Sequence, residues 1–184
     1  MPTADSLLAR NVVLAIVAER PRHGWAVHRE LAPGSDIGRA WSLSRQLTYR
    51  AITNLEKEGL VRRAARQSGE GADRVILSPT PGGRRHVRKW LDEPVAHIRD
   101  VRTELLVKLM LRERAGLDST QFIRIQTDRL LPVVQALTSD DPRDVVDAWR
   151  SAAASSVMGF LDGLNRTGGP AGAEASGGRR RQGR

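Results

Sequence analysis

From Trp41 to Leu60 the chain reads WSLSRQLTYRAITNLEKEGL, and this stretch with the basic segments after it leaves few folds open. Set on a helix at 100° per residue, Leu47, Thr48, Ala51, Ile52 and Leu55 share one arc of roughly 140°. Arg45, Gln46, Tyr49, Arg50, Thr53, Asn54 and Lys57 fill the other side. Ser44, or Ser42 before it, is placed to cap the first amides, and Gly59 can take the left-handed conformation that ends the helix. The outward face is short of carboxylates in its first three turns. Its side chains are of the kind that reach nucleic acid: Arg forks onto guanine, Gln and Asn onto adenine, Tyr and Thr onto phosphate or a thymine methyl. Alone, this describes any amphipathic helix with a solvated face, so the flanking segments decide.

After Gly59 the run Leu60-Val61-Arg62-Arg63-Ala64 reads as a strand, QSGEGAD (67–73) as a flexible tip, and Arg74-Val75-Ile76-Leu77-Ser78 as the returning strand. Before it come two further helices. One spans about Leu7 to Glu19, with Leu8, Val12 and Ile16 on a stripe beside Val13 and Val17, ended by Pro21. A short one from about Gly24 carries Trp25, Val27 and Leu31 and stops at Ala32-Pro33-Gly34; residues 34–41 read as a loop. Three such helices and a basic hairpin make a winged helix-turn-helix with a two-stranded wing. Ser44, Arg45, Gln46, Tyr49, Arg50 and Thr53 are then the candidate groove contacts. Arg62, Arg63, Arg66 and Arg74 are placed to straddle phosphates, against the plainer role of keeping an exposed hairpin soluble.

Thr80-Pro81 opens a helix to about Asp92, with Val87, Trp90 and Leu91 inward and Arg84, Arg85, Arg88 and Lys89 outward. Pro94 ends it, and the charge changes there. Residues 1–94 carry 16 Lys+Arg against 10 Asp+Glu, residues 95–163 carry 9 against 10, and residues 164–184 carry 5 against 1. A basic nucleic-acid module on a neutral protein-contact module fits that split.

Three helices are expected over 95–163. The first, about Val95 to Arg114, has Ile98, Val101, Leu105, Leu106, Leu109 and Met110 at three- and four-residue steps. The second, capped by Asp118 or Ser119, carries Phe122, Ile125, Leu130, Val134 and Leu137, with Pro132 expected to bend or split it. The third starts at Asp141-Pro142 and shows a stripe of Val145, Trp149, Ala152, Ser156 and Phe160. Together they hold more apolar face than they can bury among themselves, so pairing with a second copy is expected. Residues 164–184, rich in Gly, Pro, Ala and Arg, read as a disordered basic tail.

These segments resemble the PadR family of winged-helix transcriptional regulators over roughly residues 7–163. The matching pieces are RPRHGWAVHREL (20–31), WSLS (41–44) with Tyr49 and ITNLEKEGLV (52–61), TPGGRRHVRKWL (80–91) and PVAHIRDVRTELLVKLML (94–111). Many family members carry Pro-Gly where this chain has Arg45-Gln46, so their base contacts are not carried over to those positions. The resemblance implies a homodimer that binds a palindromic operator in duplex DNA, usually represses, and is released by a small aromatic or cationic effector. Trp149 and the stripes that include Leu105 and Leu109 are the expected pocket, ordinary core packing being the plainer expectation for Trp149.

The expected architecture is thus mainly α: a winged-helix DNA-binding domain over 1–94, a helical dimerisation and effector domain over 95–163, and the tail. No enzyme is expected. His23, His28, His86 and His97 lack metal-ligand spacing, SGEG (68–71) lacks the lysine and strand–loop–helix setting of a phosphate loop, and Ser44 has no identifiable base. No metal or cofactor is expected either. The absence of cysteine excludes thiolate chemistry and fits the cytoplasm, and the N-terminus shows no signal peptide or membrane span. The rival reading is a winged helix used for protein contact or RNA. The polar reader face argues against the first, and the lack of an aromatic pair on a strand against the second.

Overall fold

An unbroken apolar run from Val12 to Val17 makes α1 (Ala4–Glu19) the pillar of the first unit, every side chain of that run being buried. The computed structural model describes residues 4–69, 71–139 and 141–167, with backbone alone at Ala4, 65–69 and 71–74. The chain divides into two compact units, Met1–Glu93 and a second that starts at Pro94.

Pro21 ends α1, and Arg22–His23 form β1, a two-residue strand that the sequence did not announce. It pairs antiparallel with β3, so the sheet has three strands rather than the expected two. Arg22 is buried between the carboxylates of Glu19 and Glu30, each 3.0 Å away. His23 then caps α2 (Gly24–Leu31), its Nδ1 accepting from the Ala26 amide at 3.1 Å. The connector to the next helix is not a plain loop: Ile37–Arg39 form a 3₁₀ turn that buries Ile37 completely.

In α3 (Arg45–Lys57), Ser44 caps by accepting from the Leu47 amide at 3.3 Å, and Thr48, Ala51, Ile52 and Leu55 face inward. Leu47, expected in that arc, is 44% exposed. Gly59, at φ +68°, closes the helix, and the Leu60 amide turns back onto the Leu55 carbonyl at 2.9 Å. β2 (Val61–Gly69) and β3 (Gly71–Pro79) pair antiparallel as far as Gly69↔Gly71, beyond the expected strand ends. A bulge between Arg63 and Ala65 shifts their register.

α4 (Pro81–Asp92) starts at Thr80, whose hydroxyl accepts from the Gly83 amide at 3.0 Å and donates to the Gly59 carbonyl at 2.8 Å. One hydroxyl thereby ties the end of α3 to the start of α4. Farther along α4, His86 meets Asn11 Oδ1 at 2.9 Å, beside an Arg10–Glu58 ion pair of the same length. Burial first, then the Arg10 charge, holds the His86 imidazole below its ordinary value of 6.5; Glu58 and Glu93 pull the other way and Lys89 adds to the depression. A histidine depressed on folding contributes stability that is present above 6.5 and is lost as pH falls through the lowered folded value. Urea midpoints at pH 7.5 and 5.5 should therefore fall on acidification, and less so for His86→Gln. An equal drop in both proteins would assign the effect elsewhere.

The second unit opens with Val95, whose amide and carbonyl are both met by the side chain of Gln126, at 2.8 and 3.0 Å. Gln126 is fully buried and serves Val95 as a neighbouring strand would. Gln126→Leu leaves two buried backbone groups unmet, so a loss of about 2 kcal/mol in urea denaturation is expected. A wild-type midpoint would show that water or a shift of Val95 compensates.

The first helix of this unit begins at Ile98, later than expected. It runs as α5 (Ile98–Asp100), a π-helical turn (Val101–Leu105) and α6 (Leu106–Arg114). Asp118 rather than Ser119 caps α7 (Thr120–Leu137), its Oδ1 accepting from the Thr120 amide and hydroxyl, which holds that carboxyl below the usual range. Ser119 instead accepts from buried Arg112, whose guanidinium also donates to the Asp118 carbonyl and lies 4.6 Å from the Phe122 ring centroid. Pro132 does not split α7, and Ile125 is exposed.

α8 (Val145–Thr167) buries Ala154 and Leu161, with Val157 and Leu164 packed at the edge of a core built on Val95, Val101, Leu105, Leu109, Phe122, Ile123 and Leu130. The stripe read from sequence is the other face of α8: Val145 is 82% and Trp149 73% exposed. The helix also continues to Thr167, so residues 164–167 are not tail; 168–184 lie outside the described residues.

Candidate nucleic-acid interface

The cap at Ser44 and the buried Thr48–Ile52–Leu55 side determine which way α3 turns. Arg45, Gln46, Tyr49, Arg50 and Thr53 are in consequence all exposed on one outward face. Ser44 is spent as the cap. Thr53 donates its hydroxyl to the Tyr49 carbonyl at 3.0 Å, which leaves its methyl and oxygen lone pairs outward. Arg50 lies by a shallow groove shared with Asp5, Trp41 and Asn54.

Arg45 stands apart. Its guanidinium carbon is 5.5 Å from the centroid of the Trp25 ring and 5.8 Å from that of Tyr49, inside the range of a cation–π contact. Trp25 is 48% exposed, a placement that the sequence reading left open. A helical wheel could have found it. Trp25 precedes buried Val27 by two positions, roughly 200° around the helix, so the face that buries Val27 and Leu31 turns Trp25 out.

The wing cations differ among themselves. Arg62 is exposed on β2. Arg63 is bidentate on Glu56, at 2.8 and 3.3 Å, and that hydrogen-bonded carboxylate raises its pKa above the ordinary arginine value. Arg74 sits on β3 opposite Gln67, and its side chain, with that of Arg66, lies outside the described residues.

The expected pocket residues separate too. Trp149 lines a groove of about 1020 Å³ with Ile98, Arg102, Leu106, Val157 and Phe160. Leu105 and Leu109 do not: both are buried in the core, 1% and 4% exposed, because the arc they share faces α7 and α8. Among the described residues, no cluster of His, Asp and Glu could hold a metal ion, and no helix is long and apolar enough to cross a membrane.

Residues 13–89 match the transcriptional regulator PadR-like family, which takes in most of the first unit. No curated protein matches the chain. Among solved structures it is similar to Bacillus subtilis PadR in complex with operator DNA, at 14% identity and a TM-score of 0.47, over 91% of this chain and 99% of that one. Bacillus subtilis PadR in complex with p-coumaric acid gives 13% and 0.41, over 88% and 98%. The Vibrio cholerae virulence activator AphA gives 20% and 0.39, over 91% and 98%. The matched helices, the reader face and the wing rest on one continuous stretch of sequence, and it is this stretch, residues 13–89, that is similar to the PadR-like family of transcriptional regulators.

Proposed function

We propose that this chain works as a homodimer that reads a two-fold symmetric operator in duplex DNA, represses from it in the cytoplasm, and releases it when a small aromatic compound binds. The observation that carries the reading is the outward face of α3: Arg45, Gln46, Tyr49, Arg50 and Thr53 exposed together, with the Arg45 guanidinium presented and not paired with any carboxylate among the described residues. In such a helix the first turns enter the major groove, and the wing lies along the backbone. Arg62, Arg63 and Arg74 take the phosphates in this reading. Arg63 gives up Glu56 to do so, and its replacement costs less than that of Arg62.

Dimer formation rests on α8. A face with Val145, Val146, Trp149 and Phe160 exposed and small Ala152 and Ser156 between them is more apolar surface than a lone helix pair leaves to water. The effector is assigned to the groove at Trp149. Arg99, Arg102 and Arg150 in its lining oppose a cation, which narrows the chemistry to a neutral or anionic aromatic compound.

Selection of bound fragments from random duplex DNA at physiological salt tests the reading. A two-fold symmetric motif is expected from the native protein and none from the Tyr49→Ala, Arg50→Ala protein. Arg50→Ala alone should cost about 1–3 kcal/mol on that operator, whereas Arg62→Ala should weaken operator and random DNA alike. Recovery of random sequence by the native protein would return the chain to the protein-contact or RNA reading.

A further inference from the structure

We infer that Trp25, on α2, is a positioning residue for base recognition, the wall against which Arg45 is held ready for one base pair. This rests on the DNA-reading role proposed above. Arg45 occupies the first position of α3, the turn that reaches base edges in a helix of this kind. A free arginine there would surrender its rotamer freedom on forking to guanine. Here the guanidinium carbon already lies over both rings, 5.5 Å from the centroid of Trp25 and 5.8 Å from that of Tyr49. Cation–π contacts offer the guanidinium no lone-pair acceptor and so do not use up its N–H donors, and those donors are what a guanine O6/N7 pair accepts from. Arg63 makes the contrast: its in-plane donors are taken by the Glu56 carboxylate.

The aromatic walls are themselves fixed. The His28 ring sits 5.4 Å from that of Trp25 at a tilt of 52°. A Cβ added at Gly24 would stand 3.1 Å from Tyr49 Cε1, so the missing side chain lets the start of α2 close onto the Tyr49 ring. Trp25 itself is half exposed and contributes little to the core, which separates its role from plain packing.

The test is a double-mutant cycle on the selected operator with native protein, Trp25→Ala, Trp25→Phe, Arg45→Ala and the Trp25→Ala, Arg45→Ala double variant. Dissociation constants are measured on the operator and on operators changed at the base pair to which Arg45→Ala becomes indifferent. Trp25→Ala is expected to bind about tenfold more weakly and to lose preference at that same base pair. Trp25→Phe, which keeps a ring face, should recover most of both, and the double variant should bind no worse than Arg45→Ala alone. Additive losses in the double variant, or intact preference at that base pair in Trp25→Ala, would overturn the role of Trp25 while leaving the operator reading in place. A native protein without any base preference would overturn the DNA-reading role itself, and this inference with it.

Discussion

Trp149→Glu should leave the helical fold intact, convert the protein to a monomer in sedimentation, and weaken operator binding by about 10²–10⁴-fold. The size of the effect comes from the proposed pairing. At 73% exposure the new carboxylate is hydrated in the single chain and costs its folding little. Across a covered α8 face the same group has to be stripped of its water and no longer supplies the indole that fills the contact, which opposes pairing. Half an operator is then read at a time, and the gain from tethering two readers disappears. Far-ultraviolet circular dichroism controls for folding. A dimer that survives the substitution with its operator affinity unchanged would move the interface off this face of α8.

Gly83→Ala should destabilise the first unit by about 3 kcal/mol or more, while Gly82→Ala next to it stays within about 0.5 kcal/mol of the native protein. The difference is one of distance to backbone. A Cβ at Gly83 would lie 2.2 Å from the Leu60 carbonyl oxygen and 3.1 Å from its carbon, with Leu14 behind it at 3.3 Å. At Gly82 the nearest atom is the Thr80 hydroxyl at 3.6 Å, an ordinary contact, and alanine is the better helix former. No side chain can swing away to relieve the clash with Leu60. The first turn of α4 has to lift off the lead-in to β2, and it takes with it the Thr80 bonds to the Gly83 amide and the Gly59 carbonyl. Urea denaturation of the two variants measures the contrast. Equal midpoints would mean that α4 does not approach Leu60 this closely.

Features whose chemistry is complete within a few residues were legible in advance. Ser44 before a helix, Thr80-Pro81 and Gly59 at a helix end each satisfy or release backbone groups of their immediate neighbours. The outward set on α3 was legible because its inward side is nearly unbroken, with Leu47 alone on the wrong side. α8 was only half legible because it carries two apolar stripes. Periodicity gives the angle between residues on one helix, and either Val145–Trp149–Phe160 or Ala154–Leu161–Leu164 satisfies it. The same limit put Leu105 and Leu109 beside Trp149, although they lie in the core.

What the sequence determined by itself, then, is local: where helices start and stop, the order helix–helix–reader–wing, and the basic character of the first half of the chain, all set by steric and hydrogen-bonding rules between near neighbours. What only the tertiary structure decided is which partner each face meets. Arg22–His23 becomes a strand because β3 has a free edge beside it. Gln126 becomes a backbone partner because the chain at Val95 is laid against α7. Arg45 lies against Trp25 because α2 crosses the start of α3. Each of these joins residues far apart in the chain, and the contact exists only once the packing that creates it has formed.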